Sequence, residues 1–208
     1  MNIPSVALLV VFALARTVFA DPTPDETARF LAGLPMQGTA LEEAARNAAW
    51  VRHAKEFDDA WHPLDTRQLV RIRTWSAQFL TPETEDAGNV FYFFSGPDFL
   101  YAQTFFPSAS NYVLCGLEPV GALPDVTKLP HTALEPALAN LRKAMNSALS
   151  FSFFITKNMK VDLTQAQLSG TLPVMLVFLA RTGCKVDAIE SIDIDKSGVV
   201  AEKARRTA

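Results

Sequence analysis

Hydrophobic positions recur along this chain in two rhythms, and the change from one to the other divides it. From residue 21 to 82 they fall three and four apart, the period of helices that bury one face. Thr23-Pro24-Asp25-Glu26 predicts a helix start: a capping threonine, a proline at the first helical position and a glutamate placed to reach back. Gly33 predicts its end. Thr39-Ala40-Leu41-Glu42 repeats the capping pattern and predicts a second helix through Ala44, Ala45, Ala48 and Val51 towards Trp61. Asp65, with Gln68 three residues on, predicts a third that carries Leu69, Ile72 and Phe79 until Thr81-Pro82 stops it. The polar, acidic stretch from Pro82 to Gly88 reads as a linker.

The rhythm then shortens. Val90 to Phe94 is a brief apolar and aromatic run, which predicts a buried strand. Ser95-Gly96-Pro97-Asp98 breaks it and opens a short helix from Phe99 to Phe106, ended by Pro107; Asn111 to Gly116 predicts the next strand. Two strands joined by a helical crossover are expected to be parallel, with a right-handed connection. Thr132, with Glu135 three residues later, predicts the cap of a long amphipathic helix striped by Leu134, Leu138, Leu141, Met145 and Leu149. Leu172 to Ala180 is apolar on all sides, and Pro173, Arg181 and Gly183 favour a buried helix there over a strand.

Val186 to Ile194 alternates apolar with acidic residues and predicts a strand, followed by a turn at Asp195-Lys196-Ser197-Gly198. Its expected partner, Val199-Val200, is shorter than the usual five or six residues, and the basic run after it lacks β-branched residues before Thr207. The strand is therefore expected either to belong to a truncated fold or to be an edge guarded by its own acids. The expected architecture is α/β: a helical N-terminal lobe over 21–82, an α/β domain over 89–200 with a small mixed sheet built on a βαβ unit in three layers, and a polar tail over 201–208.

Ahead of all this, Pro4 to Ala15 is apolar apart from Ser5 and is interrupted by Arg16. The run is too short to span a membrane, which takes about 20 apolar residues, and fits the core of a secretory signal peptide. Val18-Phe19-Ala20 places small residues for a cut before Asp21. The expected mature chain is thus periplasmic or secreted, with no membrane span. The alternative is a buried first helix or an uncleaved anchor.

Composition narrows the partners. The net charge is −3, and no basic run offsets it, which argues against nucleic acid and leaves a small molecule or a protein. Cys115 and Cys184 are the only cysteines, and a domain of this size is expected to hold together with both as buried free thiols rather than paired. Three scattered histidines give no zinc-like spacing, and no cofactor motif is present. His53 and Glu56 lie three apart, a spacing used in metal sites, but a single such pair on a charged helix reads as a solvated face.

In a parallel sheet, ligands gather beyond the carboxyl ends of the strands. Ser95 and Asp98 follow the first strand and Glu118 the second, so the βαβ geometry is expected to bring them to one rim. Paired carboxylates there suit cation binding or a divided acid–base role, as in a hydrolase. The plainer reading is that Ser95 and Asp98 form a capping box and Glu118 orients a turn. A nucleophile elbow is excluded, since Phe93 and Pro97 stand where that pattern needs glycines. Phe91, Tyr92, Phe94, Phe99, Tyr101, Phe105 and Phe106 suit either an aromatic ligand wall or, more simply, core packing.

The strings from Ser95 to Tyr101 (SGPDFLY) and Gly116 to Gly121 (GLEPVG), with Gly170 to Gly183 (GTLPVMLVFLARTG), resemble an uncharacterised family of exported bacterial proteins. The resemblance covers roughly Val90 to Gly198. It implies export and no assigned activity, and family members look longer than this chain. The expected function is therefore ligand or partner binding without catalysis; the alternative is an extracytoplasmic hydrolase using Asp98 and Glu118.

Overall fold

A computed structural model describes residues 21–84, 88–93, 98–116, 119–149, 168–198 and 206–207. The leader segment, Ser95, Glu118 and the Val199-Val200 pair lie outside the described residues. The order of elements is α1 (Pro24–Leu31), α2 (Ala48–Pro63), α3 (Val70–Phe79), α4 (Thr81–Thr84), β1 (Asn89–Tyr92), α5 (Phe99–Phe105), β2 (Asn111–Leu114), α6 (His131–Leu149), α7 (Leu172–Arg181), β3 (Glu190–Ser191) and β4 (Arg206–Thr207). Mixed helix and strand is what the sequence pattern leads one to expect.

The first helix begins as its residues dictate. Thr23 Oγ1 accepts from the Glu26 N–H at 3.2 Å, and Glu26 Oε2 accepts from the Thr23 N–H at 2.8 Å. The second expected capping box does not start a helix. Thr39 gives its hydroxyl to the Met36 carbonyl, and Glu42 reaches past it to the Gly38 N–H. The helix opens later, after Asn47, whose side chain accepts from the Ala49 N–H at 2.8 Å.

The third helix is not separate either. Pro63 sits inside the helical run, and α2 passes into α3 through one wide π turn, Leu64–Leu69. That turn brings Leu64 and Leu69, five apart, to the same buried side. Asp65 accordingly caps nothing; its carboxylate holds Arg73 at 2.7 Å. Helix also persists into α4, beyond the expected stop at Thr81-Pro82.

One apolar core joins α1, α2, α6 and α7, so the N-terminal helices share their interior with the later ones. Phe30, Phe57, Leu138, Met145 and Phe178 are its centre, and the five stripe residues of α6 are all buried. That helix starts at His131, one residue before its expected cap. Leu172 to Arg181 is the buried helix its flanks predict. It ends in a Schellman turn in which the Cys184 N–H reaches the Leu179 carbonyl at 2.9 Å across Gly183, at φ +81°.

Strands β1 and β2 are parallel, in register from Asn89 opposite Asn111 to Tyr92 opposite Leu114, with α5 as the crossover. The run in β1 is not buried as a whole. It alternates: Val90 turns inward, while Phe91 and Phe93 are each 63% exposed. Cys115, just past β2, is exposed rather than buried, and both cysteines are free thiols.

After α7 the expected strand contracts to Glu190–Ser191, and Ile192 and Ile194 face solvent. The turn follows as expected, with the Gly198 N–H on the Asp195 carbonyl at 3.0 Å. The partner of β3 is Arg206–Thr207, antiparallel, which corrects the view that the basic tail cannot extend the ladder. Ladder bonds come from the main chain, so two residues, of which only Thr207 is β-branched, suffice for one such pair.

Candidate functional site

The turn from β1 into α5 places Asp98 just ahead of the first residue of the helix. Asp98 itself occupies the N-cap position of α5, with no side-chain capping bond of ordinary geometry, and the cap expected from Ser95 lies outside the described residues. Its carboxyl turns inward instead and is only 7% exposed. Oδ2 accepts from the Tyr92 hydroxyl at 3.0 Å, and Oδ1, also buried, has no hydrogen-bond partner among the described residues.

Burial disfavours the charged form and lifts the Asp98 carboxyl to about 6, against the opposing pull of the Tyr92 hydroxyl and the Tyr101 main chain. Desolvation, reinforced by the charge of Asp98, pushes Tyr92 up to about 12, and Tyr101 is raised for the same two reasons. Tyr101 Oη in turn accepts from Gln68 Nε2 at 2.8 Å. A carboxyl poised near neutrality has the acidity that proton transfer requires. Of the three residues expected on one rim, Asp98 alone falls within the described residues.

Gln68 leads to the second feature. Two tethers hold α5 against the α2–α3 run: Gln68 to Tyr101, and the buried Ser76 hydroxyl to the Phe105 carbonyl at 2.5 Å. Beside them opens a groove of about 680 Å³ lined by Arg67, Gln68, Arg71, Ile72, Trp75 and Phe105. Trp75 stands edge-on to Phe105 with ring centroids 6.1 Å apart and leans on Phe79 at 5.7 Å; both Trp75 and Phe79 are about half exposed. Phe99 belongs to the core and Phe105 to the groove, so the aromatic residues of this region divide between packing and an open wall.

His53 departs furthest from its expected place. It is fully buried, with Nε2 at 2.8 Å from the Leu31 carbonyl and Nδ1 at 2.8 Å from Arg142, which also pairs with Glu56 at 2.8 Å. Burial drives its pKa down to about 4, and the neighbouring Arg142 and Arg181 add to that depression, so it is neutral at physiological pH. The solvated-face reading of His53 with Glu56 is therefore corrected. The signal was available: Trp50, His53, Phe57 and Trp61 are spaced 3, 4 and 4, which puts His53 on the apolar stripe of its helix.

Among the described residues no group of three or more potential metal ligands converges, and no helix is long and apolar enough to cross a membrane. No family model, curated protein or solved structure matches the chain.

Proposed function

We propose that this protein is an exported α/β protein that binds a small ligand and catalyses nothing, with the groove beside α3 as its binding site. The observation that carries the reading is the pairing of Arg67 and Arg71 with the half-exposed Trp75 in one open groove. Its volume lies within the range of about 300–1,000 Å³ usual for small-molecule clefts. Polar groups for orientation and an aromatic wall for area are the two components such sites need.

Export rests on the leader pattern of residues 4–20, and membership in an uncharacterised exported bacterial family rests on the three motif strings. The three-layered arrangement belongs to the same proposal: parallel strands are normally covered on both faces, and Phe91 and Phe93 are exposed among the described residues. Mass spectrometry of the exported chain tests the first point, with a mature N-terminus at Asp21 expected. Titration of the protein with a panel of small ligands, followed by the fluorescence of Trp75, tests the second. A chain that keeps Met1 after export, or a Trp75 that responds to nothing, would overturn the corresponding half.

A second reading is an extracytoplasmic hydrolase using Asp98 with Glu118. One observation favours it: the Asp98 carboxyl is turned inward onto the Tyr92 hydroxyl and buried, which raises it to about 6. Hydrolysis of a substrate panel that is abolished by Asp98→Asn would establish this reading in place of the first.

A further inference from the structure

The chemistry of the groove points to the class of its ligand, an inference that rests on the groove being a binding site. Arg46, Arg52, Arg73, Arg142 and Arg181 each meet a carboxylate. Arg67 and Arg71 make no ion pair among the described residues, although both are exposed and line the same groove. Like charges one helical turn apart repel each other, so the pair is least costly with an anion between them. A guanidinium presents a planar fork that matches a carboxylate or phosphate, and two such forks a turn apart are within reach of a single oxyanion.

The remaining lining sets the body of the ligand. Ile72, Trp75 and Phe105 offer an apolar and aromatic wall, Trp75 standing one turn beyond Arg71 and Phe79 extending it by another. From Arg67 to Phe79 the helical run covers about 18 Å at 1.5 Å per residue. Cationic at one end and apolar along the rest, this surface complements an elongated amphiphile rather than a compact inorganic anion, for which the apolar wall would be idle.

We infer that the groove takes a small amphiphile with one oxyanion head, carboxylate or phosphate, bound by Arg67 and Arg71, and an apolar body laid along Ile72, Trp75 and Phe105. Trp50 and Trp61 are buried, so Trp75 is the tryptophan that reports on the groove. The full chain is titrated with dodecanoate below its micelle concentration, with dodecanol, with inorganic phosphate and with vesicles of phosphatidylglycerol. Dodecanoate is expected to saturate the Trp75 signal at one equivalent, to bind at least about ten-fold tighter than dodecanol, and to be displaced only weakly by inorganic phosphate.

The double variant Arg67→Gln/Arg71→Gln is expected to lose that ten-fold preference while binding dodecanol as before. Both side chains are exposed, so the variant folds, which circular dichroism verifies. Equal binding of dodecanol and dodecanoate, or an unchanged preference in the variant, overturns the anion class while leaving the groove a binding site. Binding to vesicles with no response to monomeric dodecanoate overturns it in favour of a membrane surface. A Trp75 signal that none of the probes moves overturns this inference and the binding function together.

Discussion

His53 Nε2 lies 2.8 Å from the Leu31 carbonyl oxygen while its Nδ1 lies 2.8 Å from an Arg142 nitrogen. A guanidinium only donates, so Nδ1 is the acceptor and the ring proton sits on Nε2, donated to Leu31. The neighbouring carbonyls are treated alike: Phe30 accepts from Trp50 Nε1 at 3.0 Å and Ala32 from Arg181 Nε at 2.9 Å. A helix leaves its last carbonyls without intrahelical partners. Here three in succession, at the end of α1, are taken by side chains of α2 and α7, so the N-terminal helix is joined to its neighbours by polar contacts as well as by the shared core.

His53→Phe puts a somewhat larger ring in the same place, strands the buried Leu31 carbonyl and removes the acceptor for one nitrogen of Arg142, whose other nitrogen keeps Glu56. Leaving buried polar groups unpaired should cost about 2–4 kcal/mol, read from the urea unfolding midpoint at neutral pH. His53→Gln retains a donor and an acceptor and should recover part of that loss. Equal destabilisation by the two variants would show that ring volume, not the bond to Leu31, is what matters.

Gly33 and Gly38 offer a matched comparison. Both have positive φ, +65° and +75°, and either would strain on substitution by alanine. At Gly38 a Cβ meets open space, so Gly38→Ala should cost only the conformational penalty, about 1–2 kcal/mol. At Gly33 the same atom would lie 2.7 Å from the Ala54 Cα, on the backbone of α2. Gly33→Ala should therefore lose at least about 1–3 kcal/mol more, because α1 has to move away from α2. Thermal unfolding of the two variants side by side checks it; equal losses would remove the close-approach argument.

Legibility followed the source of each signal. Local chemistry that acts within one turn could be read: the Thr23–Glu26 box, the buried stripe of α6, the apolar α7 closed by Gly183, and the parallel pairing forced by a helical crossover. Signals that depend on a competing partner could not. Thr39 and Glu42 spell a capping box, but Glu42 has a better partner in the Gly38 N–H, and the expected gap between a helix ending near Trp61 and one starting at Asp65 is bridged by a π turn. Asp98 was legible as a special residue at the right turn, but its inward orientation depends on Tyr92 six residues earlier. The groove was least visible, because Arg67, Arg71, Trp75 and Phe105 meet only once α5 has folded back onto α3.

Arg181 is 5% exposed at the side chain, yet it carries its charge between the Ala32 carbonyl and Asp58, with its guanidinium 4.9 Å from the Phe57 ring and 5.7 Å from that of Trp61. A flat fork is needed to bond at its edge and stack on its face. Arg181→Lys keeps the charge and loses that geometry, and should destabilise by about 2–3 kcal/mol. Asp58→Asn keeps an acceptor oxygen but removes the counter-charge of a buried guanidinium, and should cost less than Arg181→Lys because the Asp58 carboxylate itself is exposed. Chemical denaturation of both variants is the check, and a larger effect at Asp58 than at Arg181 would reverse the ranking.

Asp98 makes the stability of the fold depend on pH. Its folded pKa, about 6, is raised above the ordinary carboxylate value of 3.8, so the folded state holds the proton more tightly than the unfolded chain. The stability it contributes is full below about pH 4 and is lost as pH rises through about 6. His53 acts with the opposite sign. Depressed from 6.5 to about 4, it favours the folded state above about pH 6.5 and withdraws that support as the pH falls through about 4. The two transitions span the same range with opposite slopes, so in the parent protein they largely cancel between about pH 4 and pH 6. Asp98→Asn keeps an acceptor for the Tyr92 hydroxyl and cannot ionise. Relative to the parent it should gain stability progressively between about pH 4 and pH 7, by no more than about 3 kcal/mol, leaving the His53 limb untouched. Unfolding free energies measured for both proteins across that range decide the matter. A difference that stays constant with pH would mean that the Asp98 carboxyl is not the group being titrated.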